Sequence, residues 1–319
     1  MLLVVTDLEL EPFRIELTGY CYRMLGSAFE AEDAVQDTLV RAWQRQDRFD
    51  DQRAALRTWL YAIATNICID MLRSTQRRAR AMDLGPASAA GPDIGAPLPE
   101  SVWVQPVPDH RVLPADGDPA ELAAQRDTVR LAFVAALQHL PPRQRSVLIL
   151  RDVLCWSAAE VASLLDTSVA SVTSALQRAR ATLGTVHSVP VQPFQPLNEA
   201  QRQLLGRYCD AFERYDVATL VSLLHEDATM SMPPFSWWLS GRAEIHRALL
   251  AAGRPCEGTR LVPTFANGSP AFAQYRPTGP DGEDEPFALV ILELSGELIT
   301  GISTYLDAKR LFPLFGLPG

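Results

Sequence analysis

The chain has 319 residues, 47% of them hydrophobic and 21% charged, which are values of a globular protein and exclude disorder throughout. Its net charge of −9 argues at first against nucleic acid, but the charge is uneven: −2 over residues 1–85, −5 over 86–125, +3 over 126–187 and −5 over 188–319. Apolar runs such as Phe287 to Leu292 are too short to cross a bilayer, and Met1 to Val5 lacks a basic flank, so neither a membrane contact nor a signal peptide is expected and the protein is placed in the cytoplasm. The five cysteines, Cys21, Cys68, Cys155, Cys209 and Cys256, show no metal spacing and are read as reduced core thiols, with no metal and no cofactor implied. Lys309 is the only lysine among 29 basic residues, a bias that points to GC-rich coding rather than to a function for every arginine.

In chain order, the first block, 1–84, reads as helical. Thr6 to Glu9 has capping-box form, and Leu25, Phe29, Val35, Leu39 and Trp43 recur at helical spacing. After a break at Asp50 to Gln52, a helix is predicted from about Leu56 to Arg80, with Leu60, Ile63, Ile67 and Met71 on one face. Its end carries Arg73, Arg77, Arg78 and Arg80 with no acid between them, a local footprint for phosphate. Residues 85–125 are acidic and rich in Pro, Gly and Ala, and are read as a flexible linker.

The block 126–187 is again helical. Val129, Phe133, Leu137 and Leu140 form one stripe, ended by Pro141-Pro142, and a helix follows over Arg143 to Leu154. The capping box Ser157 to Glu160 opens a short helix to Leu165, Asp166 to Ser168 makes a turn, and a last helix runs to Thr182. Short helix, tight turn and longer helix form a helix-turn-helix, a pattern that a plain three-helix bundle also produces. Base contacts then fall to Ser168, Ser171, Val172, Ser174 and Gln177 at the start of the second helix, and phosphate contacts to Arg178 and Arg180. A turn glycine is missing, but Asp166 tolerates a left-handed conformation.

Residues 188–197, with Pro190, Pro193 and Pro196, favour a stiff extended spacer. The block 198–319 opens with helices at Glu199 to Tyr215 and Val217 to Leu224 and continues with alternating segments at Ala271 to Tyr275, Phe287 to Leu294 and Leu298 to Tyr305, which predicts an α+β domain.

Several motifs extend this reading. Glu32 to Leu39 with Arg41-Ala42-Trp43 resembles the part of the sigma-70 family that docks on the clamp of RNA polymerase. Arg57 to Asn66, with Asp70, Leu72 and Arg73, resembles the adjoining promoter-melting helix, and Leu140 to Arg145 resembles the opening of the minus-thirty-five domain. In order and spacing these resemble the extracytoplasmic-function sigma factors over residues 7–185. The resemblance implies partners: core RNA polymerase, through its beta-prime clamp and beta flap, and promoter DNA. It implies polymerase contacts at Asp33, Gln36 and Asp37. It also implies minus-ten contacts at Asp50, Asp51, Arg53, Trp59, Asn66, Asp70, Arg73, Arg77 and Arg78, with the loop from Asp50 to Ala55 capturing an unstacked base. Core packing would account for Trp59 as well. The acidic linker would thread the polymerase cleft, though simple tethering serves equally.

Beyond residue 185, Leu224 to Ala228, Met232 to Pro234, Gly241-Arg242, Ala266 to Ala271 and Ile299 to Asp307 resemble the SnoaL-like group of the NTF2 fold, a cone-shaped α+β barrel. Leu311 to Pro318 fits the tail of sigma factors that carry this extension. The fold class implied is thus multidomain: two all-α sigma domains, the second with the helix-turn-helix, then a SnoaL-like α+β barrel. Met230, Phe235 and Trp238 are candidates to line a pocket for a small ligand, with Met232 and Trp237 nearby. His225, Asp227 and His246 would be the acid–base groups if the barrel were an enzyme, but no spacing forces them together, and no catalytic residue is assigned. The expected function is promoter-specific initiation, non-enzymatic, with the barrel modulating it in cis and an anti-sigma protein as a possible partner. The competing readings are a conventional helix-turn-helix regulator and a bifunctional chain whose barrel is an enzyme.

Overall fold

The computed structural model describes residues 9–49, 55–73, 77–91, 93–115, 118–185, 197–253, 256–278 and 283–318, with backbone alone at 48, 119, 278 and 283. The capping box at Thr6, the loop residues Asp50, Asp51 and Arg53, and the proline spacer at 190–196 lie outside them. The chain forms two compact units, one of Met1–Arg78 with Asp109–Val191, the other of Ala79–Pro108 with Gln192–Gly319.

The first unit is helical. Helix α1 (Arg14–Leu25) ends on Gly26 at φ 70°, a left-handed cap that needs no Cβ. Helix α2 (Ala28–Gln44) is capped by Ser27, whose hydroxyl accepts from Glu30 N, and α3 (Leu56–Met71) packs on both. Their shared core includes Leu17, Tyr20, Met24, Val35 and Leu60, all essentially fully buried. Trp43, expected on the inward stripe, is instead 61% exposed. Helix α3 stops at Met71 rather than running to Arg80, and Arg78 folds back to pair with Glu30 at 2.6 Å.

Within the expected linker, Asp109–Val112 is a helical turn laid against α1, and a Cβ on Gly19 would come 2.7 Å from Val112 O. Arg111 ion-pairs with Glu32. Helix α4 (Pro119–Asp127) begins on Asp118, which caps Ala120 N and Glu121 N. Helices α5 (Leu131–Leu137) and α6 (Pro142–Leu148) follow, and a turn of π-helix covers Ile149–Val153. Helices α7 (Ala158–Leu164) and α8 (Val169–Thr185) close the unit, α7 opened by the expected capping box between Ser157 and Glu160.

Two buried arginines join these later helices to α1. Arg145 Nη1 donates to Met24 O and, at 2.6 Å, to Gln138 Oε1; its Nη2 donates to Gln138 O at 3.2 Å and Leu140 O at 3.1 Å. Arg23 donates to Gly19 O at 2.7 Å and to Thr128 Oγ1 at 2.8 Å. Burial pulls both guanidinium groups down to about 10, which still leaves them charged at neutral pH. Around them Tyr61 meets Trp156 with ring centroids 5.0 Å apart, and the Arg57 guanidinium lies 5.3 Å from each of those rings. Cys21 and Cys68 are buried here, whereas Cys155, expected in a core, is exposed at φ 57°.

The second unit is a six-stranded sheet with helices, in strand order β2-β1-β6-β5-β4-β3. Its strands are β1 (Leu224–Ser231), β2 (Trp238–Ser240), β3 (Arg260–Ala266), β4 (Ser269–Thr278), β5 (Glu283–Ser295) and β6 (Leu298–Tyr305). All neighbours are antiparallel except β1 and β6. Helices α9 (Glu199–Glu213), α10 (Val217–Ser222) and α11 (Arg242–Ala251) supply Leu204, Tyr208, Leu220 and Ile245 to a core shared with Phe272, Val290 and Leu292. A last helix, α12 (Ala308–Leu314), packs on β5. The strands β1 to β3 were not anticipated from sequence: β1 carries Glu226 and Asp227 side by side, β2 has only three residues, and Pro263 interrupts β3.

The rest of the expected linker is a strap on this sheet. Ser88 N donates to Trp238 O at 2.8 Å, Leu98 N to Pro234 O at 2.8 Å, and Val107 N to Asn267 Oδ1 at 3.0 Å. Asn267 N returns a bond to Val107 O at 3.0 Å, and Tyr305 Oη donates to Val104 O at 3.1 Å. Trp103, Val104 and Val107 are buried. Acidity and dense Pro, Gly and Ala were misleading here: prolines suit an extended strap whose backbone bonds go to another element.

Candidate nucleic-acid and polymerase interface

Helix α2 turns Ala31, Ala34, Val35, Thr38 and Ala42 inward, which leaves Asp33, Gln36 and Asp37 exposed on its opposite side. Val40 and Trp43 are exposed on the same helix at 40% and 61%. An acidic patch beside exposed large apolar groups is a surface suited to a basic protein partner.

At the end of α3 the arginine cluster divides. Asn66 and Asp70 are exposed, and Arg73 is exposed with its guanidinium 3.2 Å from Asp70. Arg77 is exposed and bonds His139 Nδ1 at 2.9 Å. Arg78, expected on phosphate, is 3% exposed and bound to Glu30, so its charge is spent inside the fold and it is withdrawn from the DNA-facing set. Trp59 is half-buried, and its ring packs on Phe49 with centroids 5.2 Å apart; residues 50–54 lie outside the described residues.

The helix-turn-helix forms as expected, with α7, a left-handed Asp166 at φ 47°, and α8. Ser171, Ser174, Gln177 and Arg178 point to solvent. Ser168 is also exposed, but its hydroxyl accepts from Ser171 N at 3.1 Å and so caps α8. Val172, expected at the bases, is 1% exposed; the helical period turns it inward with Leu176 and Ala179. Arg180 is held by two bonds to Asp152, at 2.9 and 2.7 Å. Gln177→Ala is therefore expected to leave thermal unfolding unchanged and to weaken discrimination between promoter sequences. Val172→Ala is expected to cost about 2 kcal/mol of stability in urea unfolding.

In the sheet unit, of the three expected pocket residues Phe235 lines one of the two cavities described, and Met230 and Trp238 line neither. Met230 packs against the core, and Trp238 Nε1 donates to Gly85 O at 3.0 Å. His225 and Asp227 meet only locally, Asp227 N donating to His225 Nδ1 at 3.1 Å, and neither they nor His246 line either of the two cavities described. Among the described residues, no three metal-binding side chains converge, and no helix is long and apolar enough to cross a membrane.

Residues 11–78 match sigma-70 region 2, residues 130–183 match sigma-70 region 4, and residues 205–300 match the SnoaL-like domain. The helical unit is therefore a sigma-70-type pair of regions, and the sheet unit a SnoaL-like extension. The chain is 43% identical over 312 residues to the ECF RNA polymerase sigma factor SigG of Mycobacterium tuberculosis, covering 97% of this chain and 82% of that one. It is 31% identical over 224 residues to SigJ of the same organism, covering 70% of this chain and 63% of that one. The crystal structure of M. tuberculosis SigJ shares the fold, with a TM-score of 0.62 at 21% identity over 97% of this chain and 99% of that one. The chain belongs to the ECF RNA polymerase sigma factors, and its function is promoter-specific transcription initiation.

Proposed function

We propose that this chain binds core RNA polymerase through the exposed face of α2 and directs it to promoters through two separate readers. The observation that carries this is the 43% identity to a sigma factor over nearly the whole chain, spanning both readers and the extension. Asp33, Gln36 and Asp37 meet the polymerase. Asn66, Asp70, Arg73 and Arg77, with Trp59 and the loop at Asp50, Asp51 and Arg53, read the minus-ten element. Ser171, Ser174 and Gln177 read bases of the minus-thirty-five element from the start of α8, with Ser168 at its cap and Arg178 on phosphate.

The sheet unit acts in cis by holding residues 79–108, the chain that joins the two readers. A strap bound at Val104, Val107 and Leu98 shortens the free tether between them, and releasing it lengthens that tether. Run-off transcription with core polymerase tests both parts. Full-length protein is expected to produce discrete start sites that Arg73→Ala with Arg77→Ala abolishes. Asn267→Ala, which removes the side-chain acceptor for Val107 N, is expected to change the amount of transcript without moving the start site. Equal transcript from wild type and Asn267→Ala would remove the strap from the regulatory reading.

A further inference from the structure

A cavity of about 540 Å³ lies within the sheet unit, enough for a compact organic molecule. The strap supplies one side with Leu98 and Trp103. The loop after β1, the end of β6 and α12 supply the other with Phe235, Tyr305 and Leu311. Its polar lining is Glu100, Gln105 and Asp307. Arg310 ion-pairs with Glu100 and lies 3.7 Å from Asp307, and Gln105 Nε2 donates to Glu100. Two carboxylates of the lining thus share one guanidinium that stands beside it, and the three side chains together carry one negative charge in excess. Partial burial raises the Asp307 carboxyl from its ordinary value, although its side chain is still 49% exposed.

We propose that this cavity binds a small organic cation, an apolar or aromatic body carrying one ammonium group. The body lies against Leu98, Trp103 and Phe235, and the ammonium meets the Glu100–Asp307 edge. The charge complementarity decides the class. An anion is repelled by the excess carboxylate, and a neutral isostere gains the apolar walls alone. A cation gains the carboxylate and the electron-rich ring faces as well. The site does not depend on the promoter reading. It bears on regulation because one wall is the strap: a ligand that binds only with the strap in place stabilises the strapped state, and a released strap loses the ligand.

Titration calorimetry on the full-length protein tests this with naphthylethylamine, its neutral counterpart naphthylethanol, and the anion naphthylacetate. The amine is expected to bind at least about tenfold more tightly than the alcohol, and the anion not at all. Leu98→Trp, which fills the cavity, is expected to abolish binding. Glu100→Gln and Asp307→Asn, each checked for an unchanged unfolding midpoint, are expected to remove the preference for the amine while keeping residual binding of the alcohol. No binding of the amine at millimolar concentration, or binding untouched by Leu98→Trp, would overturn the site. Equal affinity for amine and alcohol would overturn the charge assignment.

Discussion

Arg145→Met is expected to destabilise the helical unit by about 3 kcal/mol, seen in urea unfolding as a lower midpoint with an unchanged slope. The side chain is 4% exposed and reaches four acceptors, Met24 O, Gln138 Oε1, Gln138 O and Leu140 O. Methionine fills much of the space but donates nothing, so these oxygens stay buried without that partner. Each such loss costs about 1–3 kcal/mol, partly offset because the charged group no longer has to be desolvated. Arg145→Lys is expected to recover only part of the loss, since an ammonium cannot reproduce a planar fork. Met24 belongs to the region-2 helices and Leu140 to region 4, so the guanidinium bridges two regions of one unit. A variant as stable as wild type would mean that this bridge is open in solution.

The second large effect is expected at Trp103. Trp103→Ala should cost the sheet unit about 3–5 kcal/mol, as for other buried aromatic truncations. The indole is 3% exposed and lies between Val102, which accepts from Ala79 N at 2.7 Å, and Val104, which accepts from Tyr305 Oη. Removing it takes away the largest apolar anchor of the strap while leaving the sheet's own core of Tyr208, Phe272 and Val290 in place. Tyr305→Phe, which deletes one hydrogen bond and keeps the ring, should cost only about 1 kcal/mol. Amide exchange distinguishes strap from sheet: Trp103→Ala should speed exchange at Val104 and Val107 and leave β5 protected. Unchanged protection at Val104 would show that the strap does not depend on its indole.

Much of the helical fold was legible in the sequence because it is written in local rules. Helical periodicity turned Val35 and Leu39 inward, and the Ser157–Glu160 capping box with Asp166 located the helix-turn-helix; Asp33, Gln36 and Asp37 were singled out by motif resemblance alone. The same period, followed one step further, would have turned Val172 inward with Leu176. Arg78 was less accessible to such reasoning. Nothing in a run of arginines marks the one that a glutamate 48 positions earlier draws into the fold.

By itself the sequence determined the order of the regions and their helical or mixed character, because amphipathic period, caps and motif spacing act over a few residues. Only the tertiary structure decided which polar groups leave solvent and where the connector lies. Arg145 finds the Met24 carbonyl across 121 positions and Val107 finds Asn267 across 160. A proline-rich segment that satisfies its backbone on a distant sheet has the same composition as one left in water, because such bonds follow from the packing of whole elements rather than from neighbours in the chain.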